Sequence, residues 1–583
     1  MESKKDPTDS APEISLEWTN LSLIEEGRVV LQSVSGVLES GRLTAVIGPS
    51  GSGKSRLLSV LAGNVTSDGK DRKVSGDISL CGEKVDPRQF RSNVGSVMAE
   101  ERLLASATAL EVLEFSATLR VPHSSKADRR HSIEEVLQEL RLDELKHRLL
   151  KDPSLTAGEL KRIAIAAELV ADPLVLFLDE PFANLDAFEA YTCMSMLKQL
   201  SASGVPIMIS LERPTTEVLL LFDDVIVLVQ GQAMYQGPTS AMTEPFEIIA
   251  GGPCPIQYNP ADFVLFSVCN ASHAQLKDLA KSAWISTEER IIPLITEKRS
   301  IRKGWVRNMA RPRQSVAFLT QVQVLIDREM KDVLRNKKVL IIRFFVVAIL
   351  NAVFGIIFYK VGGQGDETFY NNNKSASKAY YGAIAIICIS SMFMNSQAAL
   401  LAFPLQRRQF LAEYARNMYS APAYFVAKTF SDLPLGLIQS LVQMLMTYWS
   451  MNLQGNFFLY VLIVWLVSAS SASVAYLLSS MVKSEQRAIQ LTPVVYIPQI
   501  LFTGLFVTIS AIPTWLRWAQ YLAFLKYCMA MSFIVEFGDS FPVLATRNDI
   551  ISSKMNLYVG LVVAMFFGTR VVALLFIRSN AGY

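Results

Sequence analysis

The stretch GPSGSGKS, residues 48–55, follows the apolar run LTAVI and runs straight into RLLSVLA. Nothing else in the chain narrows its fold as much. A strand, a glycine-rich loop and a helix in immediate succession form the context of a phosphate-cradling loop. Gly48, Gly51 and Gly53 let the main chain curl until its amides face phosphate oxygens. Pro49, Ser50 and Ser52 complete the loop, and the helix start adds positive potential. Lys54 is placed to reach the β- and γ-phosphates of ATP, and Ser55 to hold Mg²⁺. Such a loop needs a parallel sheet behind it. The β-rich runs LVLFLDE, VPIMISL and DVIVLV, alternating with helical stretches, supply one. LVLFLDEP ends in Asp179 and Glu180, which suit Mg²⁺ binding and polarisation of an attacking water respectively.

That sheet accounts for less than half of the chain. Of 583 residues 51% are hydrophobic and only 19% charged, below the roughly one quarter typical of soluble domains. The deficit lies after residue 338, where apolar runs long enough to span a bilayer recur at 339–359, 381–403, 424–449, 457–481, 488–508 and 557–577. The expected architecture is therefore an α/β P-loop nucleotide-binding domain over 13–245, then an all-α six-helix transmembrane domain over 338–583. A polar tail (1–12), a linker (246–314) and an amphipathic connecting helix (315–337) complete it. In that helix Phe318, Val322, Leu325 and Ile326 share one face, and its position suggests a helix along the membrane surface.

The start MESKKDPTDSAPE has no apolar signal region, so the first domain is expected to stay in the cytosol. Arg407, Arg408 and Arg416 mark the 404–423 loop as cytosolic, and Lys483 and Arg487 do the same near 482–487. The result is a multi-pass protein of the plasma membrane or an organelle membrane. Asn373 opens an NKS sequon in an expected external loop. A net charge of +3 does not suggest nucleic acid as a partner. The six cysteines form no CxxC pair, and most read as small buried hydrophobes, with Cys528 placed near an external loop.

The segment LTAGELKRIAIAAELVADP resembles the signature of ATP-binding-cassette proteins, whose usual form is LSGGQ or VSGGE-RKR. In that family the segment caps the ATP held by the opposite subunit. Thr156, Gly158, Glu159 and the pair Lys161–Arg162 match, whereas Ala157 replaces the first glycine. ANLD, ending at Asp186, resembles the family's D-loop. Two slots depart. Ala99 stands where the family has the Q-loop glutamine, and Glu212, in SLERP, stands where a histidine senses the γ-phosphate. Neither His123, His131, His147 nor His273 is placed to substitute. Residues 22–25 offer no adenine-stacking aromatic, and Trp18 reads as a strand-core residue.

The order of domains, nucleotide domain first, is similar to the G subfamily of half-transporters. YNPADFVLFSV, FLTQVQVLIDREMKDVLRNK, FLAEYARNMYSAPAYFVAKTFSDLP and LFTGLFVTISAIPTWLRWAQYL resemble four of its elements in order. The resemblance implies ATP-driven export of a hydrophobic small molecule, lipid or sterol by two paired half-transporters. It places Phe393, Met394, Ile497 and Ile500 in a central slot and Leu505 and Phe506 in a plug above it. Pro493 and Pro498 break the fifth span, and Arg570 is expected to snorkel. Coupling is expected through 110–120, 315–337 and 405–421, where Glu413 and Arg416 offer charges. With Ala99 and Glu212 beside Glu180 in the catalytic region, this chain's own site reads as degenerate. A heterodimer is then favoured over a homodimer, because LTAGE can complete a partner's site. The alternative is a regulatory or scaffold membrane subunit that binds ATP without pumping.

Overall fold

A computed structural model describes residues 14–67, 72–99, 103–121, 124–183, 185–301, 316–362, 374–482, 485–506, 512–538 and 550–581. The polar tail, Asn373 and Lys483 lie outside these. The chain divides into two compact units. The first runs through Ala317 and also takes in Ala412–Tyr419; the second comprises Phe318–Leu411 and Ser420–Ala581.

The first unit contains two sheets. An antiparallel sheet has the order β2-β1-β4-β5, with β1 Ser15–Glu25, β2 Arg28–Glu39, β4 Arg72–Leu80 and β5 Glu83–Lys84. The second has the order β10-β9-β3-β8-β7-β6. Its strands β3 Leu43–Ile47, β6 Val94–Val97, β7 Val175–Asp179, β8 Ile207–Leu211 and β9 Asp224–Val229 are parallel, and β10 Gln232–Pro238 closes the edge antiparallel. All five residues of β3, β7 and β8 are buried, as expected of strands covered on both faces. Trp18 is fully buried in the core beneath the antiparallel sheet.

Short helices α1 Lys54–Leu61 and α2 Pro87–Phe90 precede α3 Ala109–Arg120, α4 Lys126–Glu139, α5 Ala157–Leu169, α6 Ala187–Ala202 and α7 Thr216–Leu219. The stretch expected as a polar linker is largely helical: α8 Glu244–Ala250, α9 Pro260–Asn270 and α10 His273–Ile301. Phe246, Ala261 and Val264 from it are buried in the same core as β3 and β7.

After Ala317 come α11 Phe318–Arg335, α12 Lys337–Ile357, α13 Lys374–Ala415, α14 Ala421–Met451, α15 Phe457–Met481, α16 Glu485–Leu501, α17 Phe524–Phe537 and α18 Met555–Ala581, all in the second unit except the end of α13 from Ala412. Among the described residues four stretches are long and apolar enough to cross a membrane: Lys337–Ile357, Ser375–Pro404, Phe457–Met481 and Ser552–Arg578. The other two expected spans differ for physical reasons. Helix α14 has the length, but Gln439, Gln443 and Thr447 are buried along it, and Gln443 Nε2 donates to Ile387 O (2.7 Å) and Ser390 Oγ (2.9 Å). Helix α16 has only 17 residues, with Pro493 and Pro498 inside it. On α11, Val322 and Leu325 are buried while Phe318 is 46% exposed, and Lys428 of α14 pairs with Glu329 at 2.8 Å. That helix is thus packed against a neighbour.

Arg570 does not snorkel. It is buried, with Nε donating to Ser473 Oγ (3.0 Å), Nη1 to Thr429 Oγ1 (2.9 Å) and Nη2 to Asp432 Oδ2 (3.3 Å). Among the cysteines, Cys81, Cys193, Cys388 and Cys528 are buried, Cys254 is half-buried and Cys269 is exposed; all are free thiols. Cys528 sits inside α17.

Candidate nucleotide site

The P-loop joins the end of β3 to α1. Lys54 is buried, and its Nζ donates to Gly48 O (2.7 Å) and Pro49 O (3.1 Å), which holds the loop in a closed curl. Gly53 caps the helix at φ +102, and Gly51 has φ +79. A side chain on Gly51 would meet nothing within 4 Å, so the need for glycine there is conformational. Ser52 Oγ is buried without a hydrogen-bond partner among the described residues. A buried polar atom left unpaired calls for a ligand or water, and in a ring of loop amides a phosphate oxygen fits. Ser55 is exposed at the helix start.

Sheet order explains what surrounds this loop. Strand β8 lies between β3 and β7, with Ile47 opposite Leu211 and Asp179 opposite Ser210. The residue after β8 is Glu212. It therefore emerges between the P-loop on one side and Asp179–Glu180 on the other, about one strand spacing (~4.8 Å) from each. Asp179 is buried, and Ser210 Oγ donates to its Oδ1 at 2.5 Å. The same hydroxyl accepts from Glu180 N at 2.9 Å. Glu180 has φ +45, a left-handed conformation uncommon outside glycine. Burial pushes its carboxyl above the ordinary range; Asp179 and Glu212 push it further, and Lys54 and Lys161 oppose them. Burial draws the Lys54 ammonium down, against the pull of Glu180, Glu212 and Asp179.

The signature segment opens α5. Thr156 caps the helix: its Oγ1 accepts from Glu159 N (3.1 Å), and Glu159 Oε2 accepts from Thr156 N (2.8 Å). Ala157 is the first helical residue, and Gly158 is buried. A Cβ on Gly158 would lie 3.1 Å from the Glu189 carboxylate. Asp186 caps α6, its Oδ1 accepting from Glu189 N at 2.7 Å. Ala99 is exposed, and its carbonyl accepts from Lys161 Nζ at 3.1 Å, with Met98 O at 3.3 Å.

Three features here escape a reading by motif. Ser210 anchors both Walker acids; its only signal is a lone polar residue in the buried strand IMISL. Lys161 reaches the Q-loop main chain from α5. Glu168 lies fully buried, with Arg120 Nη1 at 2.6 Å, Arg416 Nη1 at 3.2 Å and Ser96 N at 3.2 Å. Burial pushes this carboxyl up, but Arg120 and Arg416 outweigh it and hold it below its usual range. The expected charges at 405–421 find different partners: Arg416 takes Glu168, and Glu413 Oε2 accepts from Tyr419 at 2.5 Å.

In the second unit Phe393 and Met394 are half-buried, and the Phe393 ring lies 6.1 Å from that of Tyr496. Ile500 and Leu505 are half-buried, whereas Ile497 and Phe506 are exposed. Leu505 and Phe506 lie beyond the end of α16, where Tyr381 donates to Thr503 O at 2.7 Å.

A phosphate loop, two strand-end acids and a capped signature helix, followed by apolar helices, define an ATP-driven membrane transporter. The family models agree on both parts: that described as "ABC transporter" matches residues 31–183, and that described as "ABC-2 type transporter" matches 320–537. The chain is 28% identical over 584 residues to protein white of Drosophila melanogaster, covering 95% of this chain and 83% of that protein. It is 28% identical to the broad substrate specificity ATP-binding cassette transporter ABCG2 of Bos taurus, covering 85% and 79%. To the transporter wht-1 of Caenorhabditis elegans it is 27% identical, covering 94% and 87%. The chain belongs to the ATP-binding-cassette transporters, as a half-transporter of the G subfamily. It is an integral membrane protein with a cytosolic ATP-binding domain, and its ATPase activity is coupled to transport.

Proposed function

We propose that this half-transporter exports a hydrophobic small molecule, lipid or sterol, and that its own cradle binds MgATP but cleaves it slowly. The observation that carries the second part is the emergence of Glu212 between the P-loop and the Walker acids. A γ-phosphate bound there faces three carboxylates, Asp179, Glu180 and Glu212, with Lys54 as the P-loop cation. Charge that grows on the transferring phosphoryl group needs donors and cations, so a third carboxylate raises the barrier. Ser55 and Asp179 would hold Mg²⁺, which supplies charge neutralisation between the phosphates. Glu180 orients the water.

The expected partner is a different half-transporter, whose ATP is capped by Thr156, Gly158 and Glu159 of this chain. The substrate preference rests on the apolar lining from Phe393, Met394, Ile497 and Ile500. The direct test replaces Glu212 by His in the purified chain. Glu212→His is expected to raise ATP turnover on the order of tenfold, with nucleotide affinity little changed. A fall in turnover with binding intact would give Glu212 an active role and end the slow-site reading.

A further inference from the structure

The second unit contains a cluster of charges away from the nucleotide site. Four of them pair off: Lys428 Nζ lies 2.8 Å from Glu329 Oε2, and Arg570 Nη2 lies 3.3 Å from Asp432 Oδ2. Asp432 also accepts from Tyr476 at 2.7 Å and lies 3.8 Å from Lys428. The fifth is Arg343. Its Nε donates to Gln439 Oε1 (2.9 Å) and its Nη2 to Asn395 Oδ1 (3.1 Å). Both acceptors are neutral amides. Among the described residues no carboxylate lies within ion-pair distance of Arg343, and both acids of the cluster are engaged. Lys428 and Arg570 are the cations paired with those acids, and Arg328 also acts on Glu329.

Arg343 is the seventh residue of α12, about 9 Å from the helix start. It lies inside a segment apolar enough to span a membrane, of which only 17% is buried. A cation at such depth is costly unless an anion or a set of dipoles compensates it. Two amides orient the guanidinium, and Asp432 attracts it only from beyond ion-pair distance. The flanking residues Ile342, Phe345 and Val346 are exposed and apolar, so the surface beside Arg343 suits hydrocarbon. An anionic head beside exposed apolar surface is the chemistry of an acidic amphiphile.

We propose that Arg343, oriented by Gln439 and Asn395, anchors a site for the phosphate or carboxylate head of an anionic amphiphile whose chain lies along α12. The ligand has two possible sources: a resident acidic phospholipid of the cytosolic leaflet, or an acidic cargo. The site does not depend on how fast the cradle cleaves ATP, and melting rather than turnover reads it.

The test uses the full chain, with any partner subunit that copurifies, in phosphatidylcholine nanodiscs. Phosphatidylserine is added in one arm, and laurate, with lauryl alcohol as its neutral counterpart, in the other. An anion that binds the folded state is expected to raise the wild-type Tm by about 3 °C, with Arg343→Lys retaining the response and Arg343→Gln losing it. A response to phosphatidylserine identifies a resident lipid. A response to laurate alone identifies an acidic cargo. Wild-type melting that is equal with anionic and neutral additives in both arms overturns the site, and needs no variant to fold. An undiminished response in Arg343→Gln overturns it as well.

Discussion

A histidine at the switch position would offer the γ-phosphate a hydrogen-bond donor, whereas Glu212 brings charge of the phosphate's own sign. The effect extends to Glu180, whose carboxyl is raised by burial first and then by Asp179 and Glu212. As the proposed general base, Glu180 must be ionised, so turnover falls as pH drops through its raised pKa, and the acidic limb lies higher than for an ordinary glutamate. Removing the Glu212 charge takes away one of the upward pushes. Glu212→Gln should therefore move the acidic limb of the ATPase profile to lower pH, measured as single-turnover rate against pH at saturating MgATP. An unmoved limb would mean that Glu212 does not act on Glu180. The sequence made Glu212 legible because a family pattern left a labelled slot for it. Ser210, two residues earlier, had no slot. Its role follows from lying opposite Asp179 across two strands, a register fixed only once the sheet has formed.

Helix α5 shows what an element adds to its residues. Its N-terminal turn is closed by the Thr156–Glu159 capping box, its middle packs Ile163 and Ala166 into the core, and its last turn carries Glu168. That carboxylate joins α3 through Arg120, β6 through Ser96 N, and Ala412–Tyr419 through Arg416. Glu168→Ala would leave the buried Arg120 and the half-buried Arg416 without their anion, at a cost of about 3–5 kcal/mol. The variant should melt well below wild type in thermal denaturation. The sign with pH follows from the depressed pKa of Glu168: its contribution is present above the unfolded-state pKa and is lost as pH falls through the folded one. A variant that melts like wild type would show that the cluster contributes no net stability. The strands and helices around the P-loop were readable from apolar runs and caps. Helices α8 to α10 were not: the apolar run of α9 is short, and only the folded unit shows that Phe263 and Val264 pack into its core. Helix α14 was legible as the run 424–449, but the role of its polar residues was not: Gln439 and Gln443 lower its apolar character yet are satisfied inside the unit.

For the whole molecule the unit of function is a dimer, and on the proposed reading each composite site takes its cradle from one chain and its signature from the other. In this chain the two halves differ. The cradle faces Glu212 and lacks the Q-loop glutamine, while the signature keeps the Thr156 cap and the buried Gly158. Damage to this chain should therefore be felt unequally. In a mixed dimer, Lys54→Met disables the cradle proposed to be slow and should lower steady-state ATP turnover by about twofold or less. Gly158→Asp places a second carboxylate beside Glu189 on the face that caps the partner's ATP, and should lower turnover on the order of a hundredfold. The Gly158 site is tight, so both variants are compared only where their melting matches wild type. Steady-state ATPase of the two reconstituted dimers decides the matter. If Lys54→Met abolishes turnover while Gly158→Asp leaves it intact, this chain's own cradle is the working one, and the asymmetry argued from Glu212 runs the other way.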